Sequence, residues 1–123
     1  MDWDMPSVCL GINGRACQDG SLLPDTGITN AFVSSPDFPS GNPTADLTMT
    51  VDMPDRGHGM GRVQYRYGDT SNGVAGSVLP SEYKVRRTAA GGRVYVNVGS
   101  HFFNRFETAV DAEMGYYGIR DLM

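Results

Sequence analysis

No apolar run in this 123-residue chain approaches the ~18 residues a membrane-spanning helix needs, and the chain has only two cysteines, two histidines and one tryptophan. The first absence leaves no helical membrane span to be drawn. The cysteines, Cys9 and Cys17, and the distant His58 and His101 do not have the spacing of metal ligands, so no metal or other cofactor is expected. His58, in the loop Asp55–Gly61, and His101 stand outside any nucleophile, carboxylate or phosphate-loop motif, and the chain is not expected to be an enzyme. Met1-Asp2-Trp3-Asp4 is acidic where a secretory signal would be basic, which points to synthesis in the cytosol. Thiols stay reduced there, so reduced cysteines are the expected state and a disulfide the alternative.

Glycine and proline are plentiful, 16 and 7 residues, more than a helical protein would tolerate, and they favour turns and short strands. With no long linker, residues 1–123 are read as one domain. Residues 1–20 contain a hairpin turning at Asn13-Gly14. That two-residue turn puts Cys9 opposite Gln18 and Leu10 opposite Cys17, whereas a three-residue loop would bring the thiols opposite one another.

Residues 31–98 are read as a sheet. Ala31–Ser34 is a short strand, and Ser35–Pro43, with three prolines, is a loop. Leu47, Met49, Val51 and Met53 then alternate with Thr48, Thr50 and Asp52, the pattern of a half-buried strand. Arg62, Gln64 and Arg66 alternate with Val63, Tyr65 and Tyr67, Lys84 and Arg86 with Tyr83 and Val85, and Arg93, Tyr95 and Asn97 with Val94, Val96 and Val98. After Gly99, Ser100 reads as a helix N-cap, and Phe103, Phe106, Val110, Met114 and Tyr117 recur at steps of three or four, predicting an amphipathic helix over 100–117. The expected fold is therefore α+β, an N-terminal hairpin and antiparallel sheet of about five strands with one face covered by a C-terminal helix.

Period-two alternation leaves little freedom over which residues share a face. The polar face collects Thr48, Thr50, Arg62, Gln64, Arg66, Lys84, Arg86, Arg93, Tyr95 and Asn97. The net charge of −4 conceals an asymmetry: residues 62–93 hold six basic and two acidic residues (+4), the remainder four basic and twelve acidic (−8). A clustered patch, not the total, sets the local field. Cations that neutralise phosphates, amides and hydroxyls that read base edges, and an exposed tyrosine that stacks suit single-stranded or hairpin RNA. On composition alone, a solvated face with Arg and Lys there for solubility is the simpler reading.

The order of elements resembles the coat proteins of single-stranded RNA bacteriophages, the levivirus type, over most of the chain. Arg93-x-Tyr95-x-Asn97 is similar to the Tyr-x-Asn arrangement with which some members hold an RNA hairpin, and Arg62-x-Gln64-x-Arg66 resembles the preceding RNA-facing strand. Gly73–Pro80 is similar to the glycine-containing loop through which subunits meet. The resemblance implies a self-assembling capsid protein that encloses RNA and represses translation through an operator hairpin. It implies a homodimer with Phe103, Phe106, Val110 and Met114 at the interface, an icosahedral shell, and a location in the virion, or in the host cytoplasm during assembly. The competing expectation is a decoration or other minor shell protein of a tailed phage, which has no use for a basic sheet face.

Overall fold

The structure, a computed structural model, describes residues 7–23, 25, 27–53, 61–111 and 116–122, with 108–111 and 116–118 described by their backbone. The loop that carries His58, and Met114, lie outside the described residues. Nine strands follow in chain order: β1 (Ser7–Ile12), β2 (Gln18–Leu23), β3 (Ala31–Ser35), β4 (Thr48–Met53), β5 (Gly61–Arg66), β6 (Tyr83–Arg87), β7 (Val94–Asn97), β8 (Phe106–Asp111) and β9 (Tyr116–Asp121). The first seven form one sheet in the order β5-β4-β1-β2-β7-β3-β6, and β8 and β9 form a separate antiparallel pair.

The expectation of an α+β fold is overturned. Among the described residues the only helical segment is a five-residue 3-10 turn, Ser100–Asn104, and the remainder of the expected helix is the β8–β9 hairpin. Its start has no side-chain cap: Gly99, not Ser100, precedes the first turn, at φ 68°, where a Cβ would come within 2.6 Å of the Asn30 carbonyl oxygen. The residues that follow favour strand over helix. Thr108, Val110 and Ile119 are β-branched, Tyr116 and Tyr117 aromatic, and Gly115 and Gly118 weaken any helix across that stretch. Phe106, Thr108 and Val110 fit a period of two as well as Phe106, Val110 and Met114 fit a helical one, and the helical reading chose the wrong period.

The sheet is larger than expected and mixed. β2 pairs parallel with β7 and β3 parallel with β6, while β3 lies antiparallel to β7 and separates it from β6. The strands expected near residues 48, 62, 83 and 94 all exist; β4 and β5 pair as consecutive neighbours, whereas β6 pairs with neither β5 nor β7. The sheet curls so that its inner face closes on itself. That face carries Val8, Leu10 and Ile12 of β1, Met49, Val51 and Met53 of β4, and Val94 and Val96 of β7, all buried. Opposed pairs such as Leu10 with Val51 and Val33 with Val96 set the layers of the core. Phe38 and Leu47 close one end, and Phe102, Phe106 and Ile119 the other.

The edge strands β5 and β6 approach without pairing. Tyr65 on β5 meets Tyr83 on β6 edge to face, centroids 6.1 Å apart, and Tyr67 lies 6.0 Å from Tyr83. The seam is covered by residues 67–82: Ser71 and Pro80 are buried, Val78 and Leu79 pack against the core, and the Tyr83 hydroxyl donates to the Asp69 carbonyl at 2.7 Å. Of the segment that resembles an intersubunit loop, residues 77–80 therefore pack within their own subunit, while residues 73–76 are exposed.

The N-terminal hairpin turns where expected, with Asn13 and Gly14 both at positive φ and the Arg15 N–H donating to the Ile12 carbonyl. One extra residue then enters the second strand, so Leu10 faces Gln18 and not Cys17. That slip moves Cys17 to the face of Cys9, and the two form a disulfide across Cα atoms 5.3 Å apart.

Candidate nucleic-acid interface

Nine of the ten residues expected on the polar face can be placed from the register. Asp52, Thr50 and Thr48 of β4 lie opposite Arg62, Gln64 and Arg66 of β5. Tyr95 and Asn97 of β7 lie opposite Ser34 and Phe32 of β3, which in turn lie beside Arg86 and Lys84 of β6. The outer face thus carries two patches, one on β4–β5 and one on β7–β3–β6, separated by β1 and β2. Arg93 is exposed immediately before β7.

The two patches differ in how much of their chemistry is already committed. On the first, the Arg62 guanidinium donates to both Asp52 oxygens, at 2.5 and 3.1 Å. That bond makes Arg62 hold its proton more tightly than usual, and it ties the cation to a carboxylate that a phosphate would have to displace. Thr48, Gln64 and Arg66 surround a shallow depression of about 250 Å³ with Asp69, whose negative charge opposes an anion there. Thr50 lies between these groups.

On the second patch Lys84, Arg86, Tyr95 and Asn97 line one open groove of about 520 Å³. Phe32 and Ser34 of β3, with Ile28 and Asp25, complete its walls. Phe32 is an aromatic ring 38% exposed on a face that is otherwise polar, and Tyr95 is half-buried beside it. Lys84 touches Glu82 at 3.0 Å, but both side chains are more than half exposed, so that pair contributes little and exchanges readily. Among the described residues, Arg66, Arg86 and Arg93 have no acidic partner.

Asn97 has a structural duty that the alternation did not reveal. It is only 5% exposed, its Oδ1 accepts the Gly99 N–H at 3.0 Å, and its Nδ2 points to Asp25 Oδ2 at 3.4 Å. It therefore fixes the floor of the groove. No family model, curated protein or solved structure matches the chain.

Phe32, Ser34 and Asp25 were missed by sequence reasoning. Phe32 and Ser34 do alternate with Ala31 and Val33, so their face was legible, but the insertion of β3 between β6 and β7 was not. Asp25 comes from the loop after β2 and reaches the groove only because β2 pairs with β7.

The residues expected at a dimer interface lie in different surroundings. Phe106 is 1% exposed, stacked on Phe102 at 4.6 Å within its own core. Phe103 is half-buried against Phe102 and lines a surface depression with Leu122, which is 56% exposed. Val110 lies on β8, described by its backbone. His101, in the 3-10 turn, donates its Nδ1–H to the Leu79 carbonyl at 2.7 Å and so holds the seam loop. Arg105 clasps the hairpin: it donates to both oxygens of Asp121, at 3.1 and 2.9 Å, and lies 5.0 Å from the Phe106 ring centre.

A further cavity of about 260 Å³ opens at the end closed by Phe38 and Leu47, where Val85 and Arg87 also face it.

Proposed function

We propose that this protein binds single-stranded RNA on the outer face of β7, β3 and β6, and does so as a coat protein whose copies close a shell around the RNA. The observation that carries the first part is the groove itself, in which the cations Lys84 and Arg86 flank the aromatic rings of Phe32 and Tyr95. Cations follow a phosphate backbone and rings stack on unpaired bases, a combination that suits single strands better than a duplex, whose bases are already stacked. The β4–β5 patch is the poorer candidate for backbone phosphates, because Asp69 lies beside Arg66 and Gln64 and Asp52 holds Arg62.

The coat role is supported by the resemblance of Arg93-x-Tyr95-x-Asn97 and by unsatisfied strand edges. The two-stranded β8–β9 sheet has no further hydrogen-bonded neighbour among the described residues, and exposed Leu122 lies beside it. Copies would associate by strand pairing at these edges, in place of a dimer built on the expected C-terminal helix.

The test is expression in bacteria followed by size-exclusion chromatography, with absorbance at 260 and 280 nm and negative-stain imaging of any excluded peak. Closed particles with a nucleic-acid spectrum are expected. A small, RNA-free species at every salt concentration would contradict the coat role and favour a decoration protein.

A further inference from the structure

We infer that Asp25 makes the groove selective for an unpaired guanine, a specificity that rests on the RNA-binding reading above. Asp25 is the one carboxylate among the groove's described lining residues, which otherwise offer the cations Lys84 and Arg86. Its position is fixed from two sides. Oδ1 accepts the Gly27 N–H at 2.8 Å, and Oδ2 is approached by Asn97 Nδ2 at 3.4 Å, a long contact. Each carboxylate oxygen has two lone-pair sites, so both keep acceptor capacity toward the groove.

A carboxylate repels phosphate and can only accept hydrogen bonds, so what it meets on a bound strand must be a donor. The register places it at the base-binding end. Asn97, which Asp25 touches, lies opposite Phe32, and Tyr95 is two residues along the neighbouring strand, a diagonal separation of ~7–8 Å. A base lying on either ring would turn an edge toward Asp25.

Among the four bases, guanine alone carries two adjacent donors, N1–H and the N2 amino group, on its Watson–Crick edge. They match the two oxygens of a carboxylate as a bidentate pair. Adenine and cytosine present one amino group beside a ring nitrogen acceptor, and the N3–H of uracil lies between two carbonyls. In each of these, an acceptor lone pair would face the second carboxylate oxygen.

The experiment is fluorescence anisotropy with labelled uridine pentamers carrying G, A, C or U at the centre, at one low salt concentration. The wild-type protein is expected to bind the guanine strand about tenfold more tightly than the others. In Asp25→Asn the side-chain oxygen still accepts from Gly27, while the paired acceptor is lost, and the four affinities should converge to within about twofold. Equal binding of all four strands by the wild type overturns the guanine assignment and leaves RNA binding standing. A guanine preference that survives Asp25→Asn removes Asp25 from it. Failure of every strand to bind overturns both this inference and the RNA-binding reading.

Discussion

Tyr65 shows how a single buried group shapes the molecule's behaviour. Its ring completes the seam beside Tyr83, but its hydroxyl has no hydrogen-bond partner among the described residues. Burial pushes the pKa of Tyr65 well above the ordinary tyrosine value, and burial does the same to Tyr83. A raised tyrosine pKa means that above about pH 10 the unfolded chain releases a proton that the folded chain keeps. Folding stability should therefore be unaffected by these groups below that pH and fall as pH rises through it. For Tyr65 the fall is about 1.4 kcal/mol per pH unit. Tyr65→Phe removes both the unpartnered hydroxyl and the titration, so it should equal or exceed the wild type in stability at neutral pH, by up to about 1 kcal/mol. Urea melts of both proteins at pH 8 and pH 10.5 check this, and a Tyr65→Phe protein with undiminished alkaline sensitivity would contradict it. Residue identity was legible in the sequence here, residue duty less so. Alternation placed Arg62 and Asn97 on the outer face, but the bidentate pair with Asp52 and the bond to Gly99 depend on strand register and on a loop.

At the scale of elements, the hairpin and the C-terminal segment make opposite cases. The Asn13-Gly14 turn was legible because its conformational demand is local. The extra residue that follows it was not, and it decides which face Cys17 takes. The resulting disulfide closes a loop with a sequence separation of eight residues, and its loss should cost about 2.5 kcal/mol by the loop-entropy argument. Comparing urea midpoints with and without reductant, against a Cys9→Ser/Cys17→Ser protein, measures this; a midpoint indifferent to reductant in the wild type would show that the staple contributes nothing. In the C-terminal segment a helical stripe and a strand alternation coexist. Tertiary context chose the strand, with Phe106 stacked on Phe102 and Arg105 held by Asp121. The parallel β2–β7 contact was equally invisible, because Gly20 carries no side chain to advertise it. A Cβ there would lie 2.4 Å from the Val94 carbonyl oxygen and 2.6 Å from the Val94 Cβ. Gly20→Ala should therefore destabilise the protein by about 1–3 kcal/mol, read as a lowered thermal midpoint. An unchanged midpoint would contradict the close β2–β7 approach.

For the whole molecule, the curl and strand order of the sheet decide where alternation places the polar side chains. Four strands of the expected sheet survive as strands, and their inner and outer faces are those that alternation assigns. Their order does not follow from alternation, since it depends on long-range pairing that puts β3 between β6 and β7. That insertion adds Phe32 to the basic strands, while β1 and β2 divide the expected ten-residue face into two patches. The proposed RNA groove is the patch where the cations are least committed. The overall charge of −4 is compatible with the proposed phosphate contacts of Lys84 and Arg86, because the acidic residues lie mostly outside residues 62–93. Strand pairing through the β8–β9 edges would multiply such grooves across an assembly.

The most direct measurement is the affinity of nuclease-treated protein for a labelled single-stranded RNA across a salt series, for the wild type, Lys84→Ala/Arg86→Ala and Arg62→Ala. If Lys84 and Arg86 each neutralise a phosphate, removing both should weaken binding and flatten the slope of log K against log salt by about 1.4. Arg62→Ala, which removes a cation already held by Asp52, should change the slope by less. A Lys84→Ala/Arg86→Ala protein that binds RNA with the wild-type slope would contradict the assignment of this face.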